Sequence, residues 1–228
     1  TTSPNHFGLF TSGDLTMASR VIYNRLLGTP NGGSTLQGCD GHGTINAHIV
    51  GGFVPTGTVN GINYAAFPHA DASGFRYGLG VAPFVRMGSS VIFDPNSFTS
   101  PDYEDLESQA YNDGARISTN SWGGVPGNGA YNSDSQRYDA LVRDAQPAGS
   151  TFSVAGNQEH VILFAAGNSG SGVNTVSFPG TGKNVITVGA AENVHPHGQV
   201  DGCGITDTGA DSANDIISFS SRGPVNST

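Results

Sequence analysis

Two polar side chains stand in glycine-rich surroundings from which they could act chemically. His42 lies between two glycines in the stretch CDGHGTINAHIVGG, where an apolar-periodic segment begins. Histidine suits general acid–base catalysis because its ordinary pKa is close to neutral pH. Asn168 follows the apolar run HVILFAAG and offers an amide donor. Each residue alone also has an ordinary interpretation, as a surface histidine or as an asparagine that tolerates a turn.

The elements that position these residues alternate between strands and helices, with no internal repeat. We therefore predict one α/β domain over residues 1–228: a three-layer, mostly parallel sheet with helices on both faces. Ser133 or Asp134 is the candidate N-cap of the second long helix. The predicted strands are SRVIY, GVAPFVRMGSSVIFD, ARISTNS, HVILFAAGN, NVITVGAAEN and DIISFSS; the predicted helices cover 46–54, 103–113 and 133–145, and 55–80 is a predicted loop.

The predicted strands end in small polar segments. NSWGG, AAGNSG and FSSRG each follow an apolar or β-branched run. In open parallel sheets the ligand site lies beyond the carboxyl ends of the strands. Backbone groups can approach a ligand closely where side chains are small, so these three segments are the candidate site.

Five motifs occur in one order: GHGT, NSWGG, FAAGNSG, SFPGTGKNVITVGA and ISFSSRGP. Together they resemble the subtilisin-like serine peptidases (subtilases) from about residue 39 to residue 224. The resemblance implies peptide-bond hydrolysis by an Asp-His-Ser triad, with His42 as the general base and Asn168 as a donor to the oxyanion. It also implies a cis peptide bond between Phe178 and Pro179.

The same resemblance implies a substrate-binding cleft with two walls. Ser121, Trp122 and Gly123 would pair with the substrate backbone as an added strand, and Ala165, Ala166 and Gly167 would form the opposite wall. For Trp122, packing in the core is an equally good interpretation.

The chain also departs from the family pattern. Subtilases place the triad in the order Asp, His, Ser. Upstream of His42 the best local aspartate is Asp14, which follows Ser-Gly instead of preceding it, and Asp40 is too close in sequence. No Gly-Thr-Ser-Met-Ala nucleophile motif is present, and Thr16 in LTMAS is rejected as a decoy. His48 replaces the usual glycine and is expected on the helix surface.

These departures predict a central piece of a catalytic domain, incomplete at both ends and inactive alone. The alternative is a non-catalytic module of the same fold that binds peptides or self-associates through exposed apolar surface.

The resemblance implies a protein or peptide substrate, and the composition argues against two other classes of partner. The formal net charge is −9 and Lys183 is the single lysine, which argues against nucleic acid and anionic membranes. No signal peptide and no apolar run of about 18 residues is visible. The sequence does not decide whether Cys39 and Cys203 pair. Calcium is possible at the three aspartates of DTGADSAND, where a solvated loop is the better interpretation. An extracellular, bacterial protein is expected.

Overall fold

The computed structural model describes residues 5–36, 41–94, 97–192 and 212–226. The chain forms two compact units, Thr1–Asp102 and Tyr103–Thr228. Within the described ranges, no helix has both the length and the apolar character needed to cross a membrane. Parallel strands and α-helices occur in both units, so the predicted α/β class is confirmed.

The described residues of the first unit form one parallel strand pair, one small hairpin and one α-helix. Strand β1 (Val21–Leu26) pairs in parallel with β4 (Met87–Val91), and β2 (Thr58–Val59) pairs antiparallel with β3 (Ile62–Asn63) inside the predicted loop. The helix predicted from Asn46 begins four residues earlier and ends before Val54. The elements are the 3-10 helices Phe7–Leu9 and Thr11–Gly13, β1 Val21–Leu26, α1 His42–Gly51, β2 Thr58–Val59, β3 Ile62–Asn63 and β4 Met87–Val91.

A buried arginine ties the carboxyl end of α1 to its surroundings. Arg20 is 7% exposed. Its guanidinium donates to the backbone oxygens of Gly8 at 2.6 Å, Gly51 at 2.7 Å and Val85 at 2.8 Å. The last carbonyls of a helix have no partner within the helix, so a cationic donor there stabilises its end. Arg20 thereby fixes the helix that begins with His42.

Where the structure describes it, the second unit forms a three-stranded parallel sheet with two helices. The strand order is β5 (Ile117–Asn120), β6 (Val161–Ala165), β7 (Ile186–Val188), and the aromatic core contains Tyr103, Tyr138 and Phe164. The predicted helix end at Asp113-Gly114 is confirmed, since Gly114 has a φ of +100°. The elements are α2 Tyr103–Asn112, β5 Ile117–Asn120, α3 Ser133–Arg143, β6 Val161–Ala165 and β7 Ile186–Val188.

Two details of the second unit differ from the sequence predictions. The N-cap of α3 is Asn132, not Ser133 or Asp134, because the Asn132 side chain accepts from the amide of Ser135 at 3.1 Å. Among the described residues of the predicted strand DIISFSS, only Ile216 forms a bridge, with Ala191. A turn over Ile217–Ser220 follows it and ends the extended conformation.

Candidate active site

His42 is the first residue of α1 and is exposed. The residue before it, Gly41, has a φ of +74°, a backbone conformation that glycine adopts without strain. One turn later, the Asn46 amide nitrogen donates to the His42 backbone oxygen at 2.9 Å and lies 3.5 Å from Nδ1. The helix therefore holds the backbone of His42 while its imidazole reaches solvent, which a general base requires.

The carboxylate of Asp14 is engaged in a local turn. Its Oδ1 accepts hydrogen bonds from the Thr16 amide at 2.9 Å, the Thr16 hydroxyl at 2.8 Å and the Asn60 amide at 2.9 Å. These bonds stabilise the charged form and lower the pKa of Asp14. His42 is not among the hydrogen-bond partners of Asp14. Asp14 and Thr16 thus have a local structural role. The Thr16 hydroxyl donates to Asp14, which agrees with its rejection as a nucleophile.

His48 was expected on the helix surface, and that expectation is wrong. The side chain is half-buried, its Nε2 has no hydrogen-bond partner, and its ring lies 4.2 Å from the ring of His6. Burial, followed by the charge of His6, lowers the pKa of His48 to about 4, so the imidazole is neutral at neutral pH. Room for it comes from glycines: a Cβ on Gly8 would lie 2.4 Å from the His48 ring, and one on Gly52 at 2.7 Å.

In the second unit, the end of β6 turns sharply at Gly167. Its φ is +108°, and an added Cβ would lie 2.5 Å from the Ser177 hydroxyl and 3.0 Å from that of Ser221. The Ser221 amide donates to the Gly167 oxygen at 3.0 Å, and the Ser177 amide donates to the Ala166 oxygen at 2.9 Å. Only glycine fits this turn, which delivers the next residue, Asn168, to the surface.

Asn168 is exposed, and its side chain makes no hydrogen bond to any part of the chain that the structure describes. The backbone beside it is fixed. The Ser169 amide donates to the Ser221 hydroxyl at 3.0 Å, and the Ser169 hydroxyl accepts from the Gly127 amide at 2.8 Å. The Asn168 amide is therefore an available donor on a rigid support.

The end of β5 lies beside the same segment. The Gly124 amide donates to the Phe178 oxygen at 2.8 Å, and the Phe178–Pro179 bond is cis, as predicted. Ser121 is exposed. The structure favours core packing for Trp122, because its ring lies 5.3 Å from that of Phe164 in an edge-on contact. Gly124 and Ala166 are thus both bonded to the segment 177–178 at the carboxyl-end edge of the sheet, where β5 and β6 end side by side.

His42 belongs to the first unit, and the edge that carries Asn168 belongs to the second. Cys39, Asp40 and Cys203 lie outside the described residues, as does most of the acidic stretch of 207–215. Within the described ranges, no group of three histidine, cysteine, aspartate or glutamate side chains could hold a metal ion.

Comparison with known proteins defines the class. The model of the subtilase family of serine peptidases matches residues 2–228, so the chain belongs to the subtilase family.

Individual relatives share only part of their sequence and length with this chain. The chain is 36% identical over 98 residues to the serine protease AprX of Bacillus subtilis (strain 168). The aligned residues are 43% of this chain and 18% of AprX, so the chain spans less than a fifth of that relative's length. Sphericase is 25% identical, with a TM-score of 0.36 over 63% of this chain and 38% of its own. The prenylagaramide maturation protease PagA is 19% identical, with a TM-score of 0.46 over 90% and 59%.

Proposed function

We propose that this chain contributes the general base, an oxyanion donor and the substrate-binding edge of a serine endopeptidase acting on proteins. The family match over residues 2–228 carries the proposal. The local structure supports it at two points: the exposed imidazole at the start of α1, and the exposed amide after the turn at Gly167.

In this mechanism His42 takes the proton of a serine hydroxyl as that oxygen attacks the scissile carbonyl. The tetrahedral intermediate collapses to an acyl-enzyme, and His42 returns the proton to the leaving amine. Water then hydrolyses the ester by the reverse sequence. The Asn168 amide donates to the negatively charged oxygen of each tetrahedral intermediate. The corresponding carbonyl oxygen of the substrate carries no such charge, so the hydrogen bond strengthens as the reaction proceeds.

The substrate would bind as an extended strand. In this proposal the peptide pairs with the main chain of residues 121–123, and residues 165–167 form the opposite wall of the cleft; Ser121 is exposed. Main-chain hydrogen bonds form with a peptide of any sequence, so this edge orients the substrate. Side-chain pockets elsewhere in the cleft would then determine which sequences bind.

The nucleophilic serine and the orienting aspartate are proposed to lie outside these 228 residues. The family's nucleophile motif is absent from the sequence, and the hydrogen bonds of Asp14 are directed to Thr16 and Asn60. The chain alone is then expected to hydrolyse no peptide. An extracellular location stays a prediction.

The roles are tested in a longer chain that carries these residues together with the nucleophile motif. Asn168→Ala should lower kcat by about 10²–10³, the loss found for the equivalent donor in subtilisin, with KM nearly unchanged. Asn112→Ala, at the end of α2, is the matched control and should leave both constants unaltered. An Asn168→Ala variant with the parent kcat would remove the oxyanion role.

Self-association is a second candidate, favoured by exposed apolar side chains of the first unit. Ile45 and Ile49, one turn apart on α1, are 61% and 60% exposed, and Phe84 is 78% exposed. Large apolar surface in water is a common mark of an interface. Sedimentation velocity over a concentration series decides this candidate: association that Ile49→Thr abolishes supports it, and a monomer at all concentrations refutes it.

A further inference from the structure

A row of polar side chains runs through the second unit, from the middle of α2 to the end of β5. The Ser118 hydroxyl donates to Oε1 of Glu107 at 3.0 Å, and the Asn120 amide donates to the Ser118 hydroxyl at 3.0 Å. The Trp122 indole nitrogen donates to Oδ1 of Asn120 at 2.9 Å. Alternate residues of a strand share one face, so Ser118 and Asn120 on β5 line up, and Trp122 continues the row two residues further along the chain. Every hydrogen bond in the row points toward Glu107.

The carboxyl group at the start of this row is deeply buried. Glu107 has no exposed side-chain area, and Asn120 is 8% exposed. The second oxygen, Oε2, faces Nδ1 of His160 at 3.4 Å, and the His160 side chain is also fully buried. Neither Oε2 of Glu107 nor Nδ1 of His160 has a hydrogen-bond partner among the described residues, so the Ser118 hydroxyl supplies the hydrogen bond that holds the buried carboxyl group. Buried polar groups are costly unless they are hydrogen-bonded, so the connected row from Glu107 to Trp122 favours one arrangement of α2 and β5.

The row ends where the strand ladder ends. The last register pair of β5 with β6 is Asn120 with Phe164. Residues 121–123 lie beyond that pair, and the Gly124 amide is bonded to Phe178 on the far side. Trp122 therefore lies, along the chain, between the Asn120–Phe164 pair and the Gly124–Phe178 hydrogen bond. Its orientation depends on Asn120, and the orientation of the Asn120 amide depends on Ser118.

We propose that Glu107 is a positioning residue for substrate binding: through Ser118 and Asn120 it holds the Trp122 indole, and so sets the backbone of Ser121–Gly123 against which an extended peptide pairs. The inference rests on the proposed function, since it assigns that edge to peptide binding. Glu107 lies on α2, behind the sheet edge, and contacts no substrate in this arrangement.

The protonation of the buried pair supports the same picture. Burial raises the pKa of Glu107 to about 7, against a smaller opposing effect of the Ser118 hydrogen bond, and burial lowers the pKa of His160 to about 4. Both groups are therefore neutral at mildly acidic pH. The other charged or titratable groups around the pair are Tyr111 from α2, whose ring lies 5.7 Å from that of His160, Tyr138 from α3, and Arg116 from the segment before β5. Ionisation of Glu107 strengthens the acceptor at the head of the row, so Trp122 should report it.

The experiment uses the whole 228-residue chain, whose single tryptophan is Trp122. Ser118→Ala breaks the row, Ser118→Thr keeps the hydroxyl, and Ile117→Val on the exposed face of the same strand is the control. The readouts are the Trp122 emission maximum from pH 5 to pH 9 and the Kd for a capped tetra-alanine peptide, with circular dichroism verifying the fold. For Glu107→Gln, which mimics the neutral acid, we expect parent-like peptide affinity at pH 6 and an emission maximum that no longer titrates near pH 7.

For Ser118→Ala we expect red-shifted emission without a transition near pH 7, and a Kd raised about fivefold, equivalent to one net hydrogen bond. Ser118→Thr should restore both, which a general loss of packing would not allow. Equal peptide affinity in the parent and Ser118→Ala, or emission that ignores both Ser118→Ala and Glu107→Gln, overturns this inference alone. Absence of peptide binding by the unaltered chain overturns the proposed edge, and the inference with it, even where the emission titrates as expected.

Discussion

Replacing Glu107 by glutamine should change how the stability of the second unit depends on pH. The carboxyl is fully buried, and its pKa is raised from 4.5 to about 7. A raised acid pKa means that the folded state prefers the protonated form, so stability is full below pH 4.5 and is lost as pH rises toward 7. Glutamine keeps an acceptor for Ser118 and a donor toward His160 but cannot ionise.

The magnitude follows from the two pKa values. For Glu107, the loss of unfolding free energy is about 1 kcal/mol at pH 5 and about 3 kcal/mol at pH 8. His160 acts in the opposite sense: its pKa is lowered from 6.5 to about 4, so its contribution is lost as pH falls below 6.5. That loss is about 2 kcal/mol at pH 5 and almost nothing at pH 8. The two effects nearly cancel in the parent chain, and only that of His160 remains in Glu107→Gln.

The assay is urea unfolding followed by Trp122 emission at pH 5 and pH 8. We expect the parent's unfolding free energy to change little between the two values, and that of Glu107→Gln to rise by about 2 kcal/mol. Glu104→Gln, on the same helix but partly exposed beside Arg137, is the control and should follow the parent. Parallel pH profiles for the parent and Glu107→Gln would refute the buried, neutral state of this carboxyl.

Three further substitutions test the parts of the fold that support the site. Gly167→Ala should destabilise the second unit by about 3 kcal/mol in urea unfolding, from positive φ and the crowding hydroxyls, whereas Gly149→Ala, with φ +94° in open space, should lose only about 1 kcal/mol. Arg20→Met removes the donor to three backbone oxygens and should destabilise the first unit by about 3 kcal/mol, measured by hydrogen exchange of the α1 amides. Asn132→Ala should lower the free energy of unfolding, measured in urea, by about 1 kcal/mol through loss of the α3 cap, and Ser133→Ala should lower it by much less.

The sequence predicted those features of the fold that depend on local pattern. The alternation of strands with helices placed β5, a continuous apolar run placed β6, and helical spacing with a terminal Asp-Gly placed α2. The resemblance to the subtilases predicted the cis bond between Phe178 and Pro179. The N-cap of α3 was predicted one or two residues too late, because three successive residues, Asn132 to Asp134, all favour that position.

Long-range packing explains what the sequence did not show. His48 looked like a surface residue because its spacing on α1 is ordinary, yet Gly8 and Gly52 leave it a space. The contact between Glu107 and His160 joins residues far apart in sequence, and no local spacing marks it. The positions of His42 and Asn168 at the starts and ends of elements were visible in advance, whereas the support behind them required the structure.

The most direct test is fluorophosphonate labelling read by intact mass and peptide mapping. We expect no adduct on the 228-residue chain alone. In a longer chain that carries these residues with the nucleophile motif, we expect one adduct, on a serine outside them, formed orders of magnitude more slowly in His42→Ala. An adduct within residues 1–228, or labelling that His42→Ala leaves unchanged, would contradict the assignment of His42 as the base of a serine peptidase.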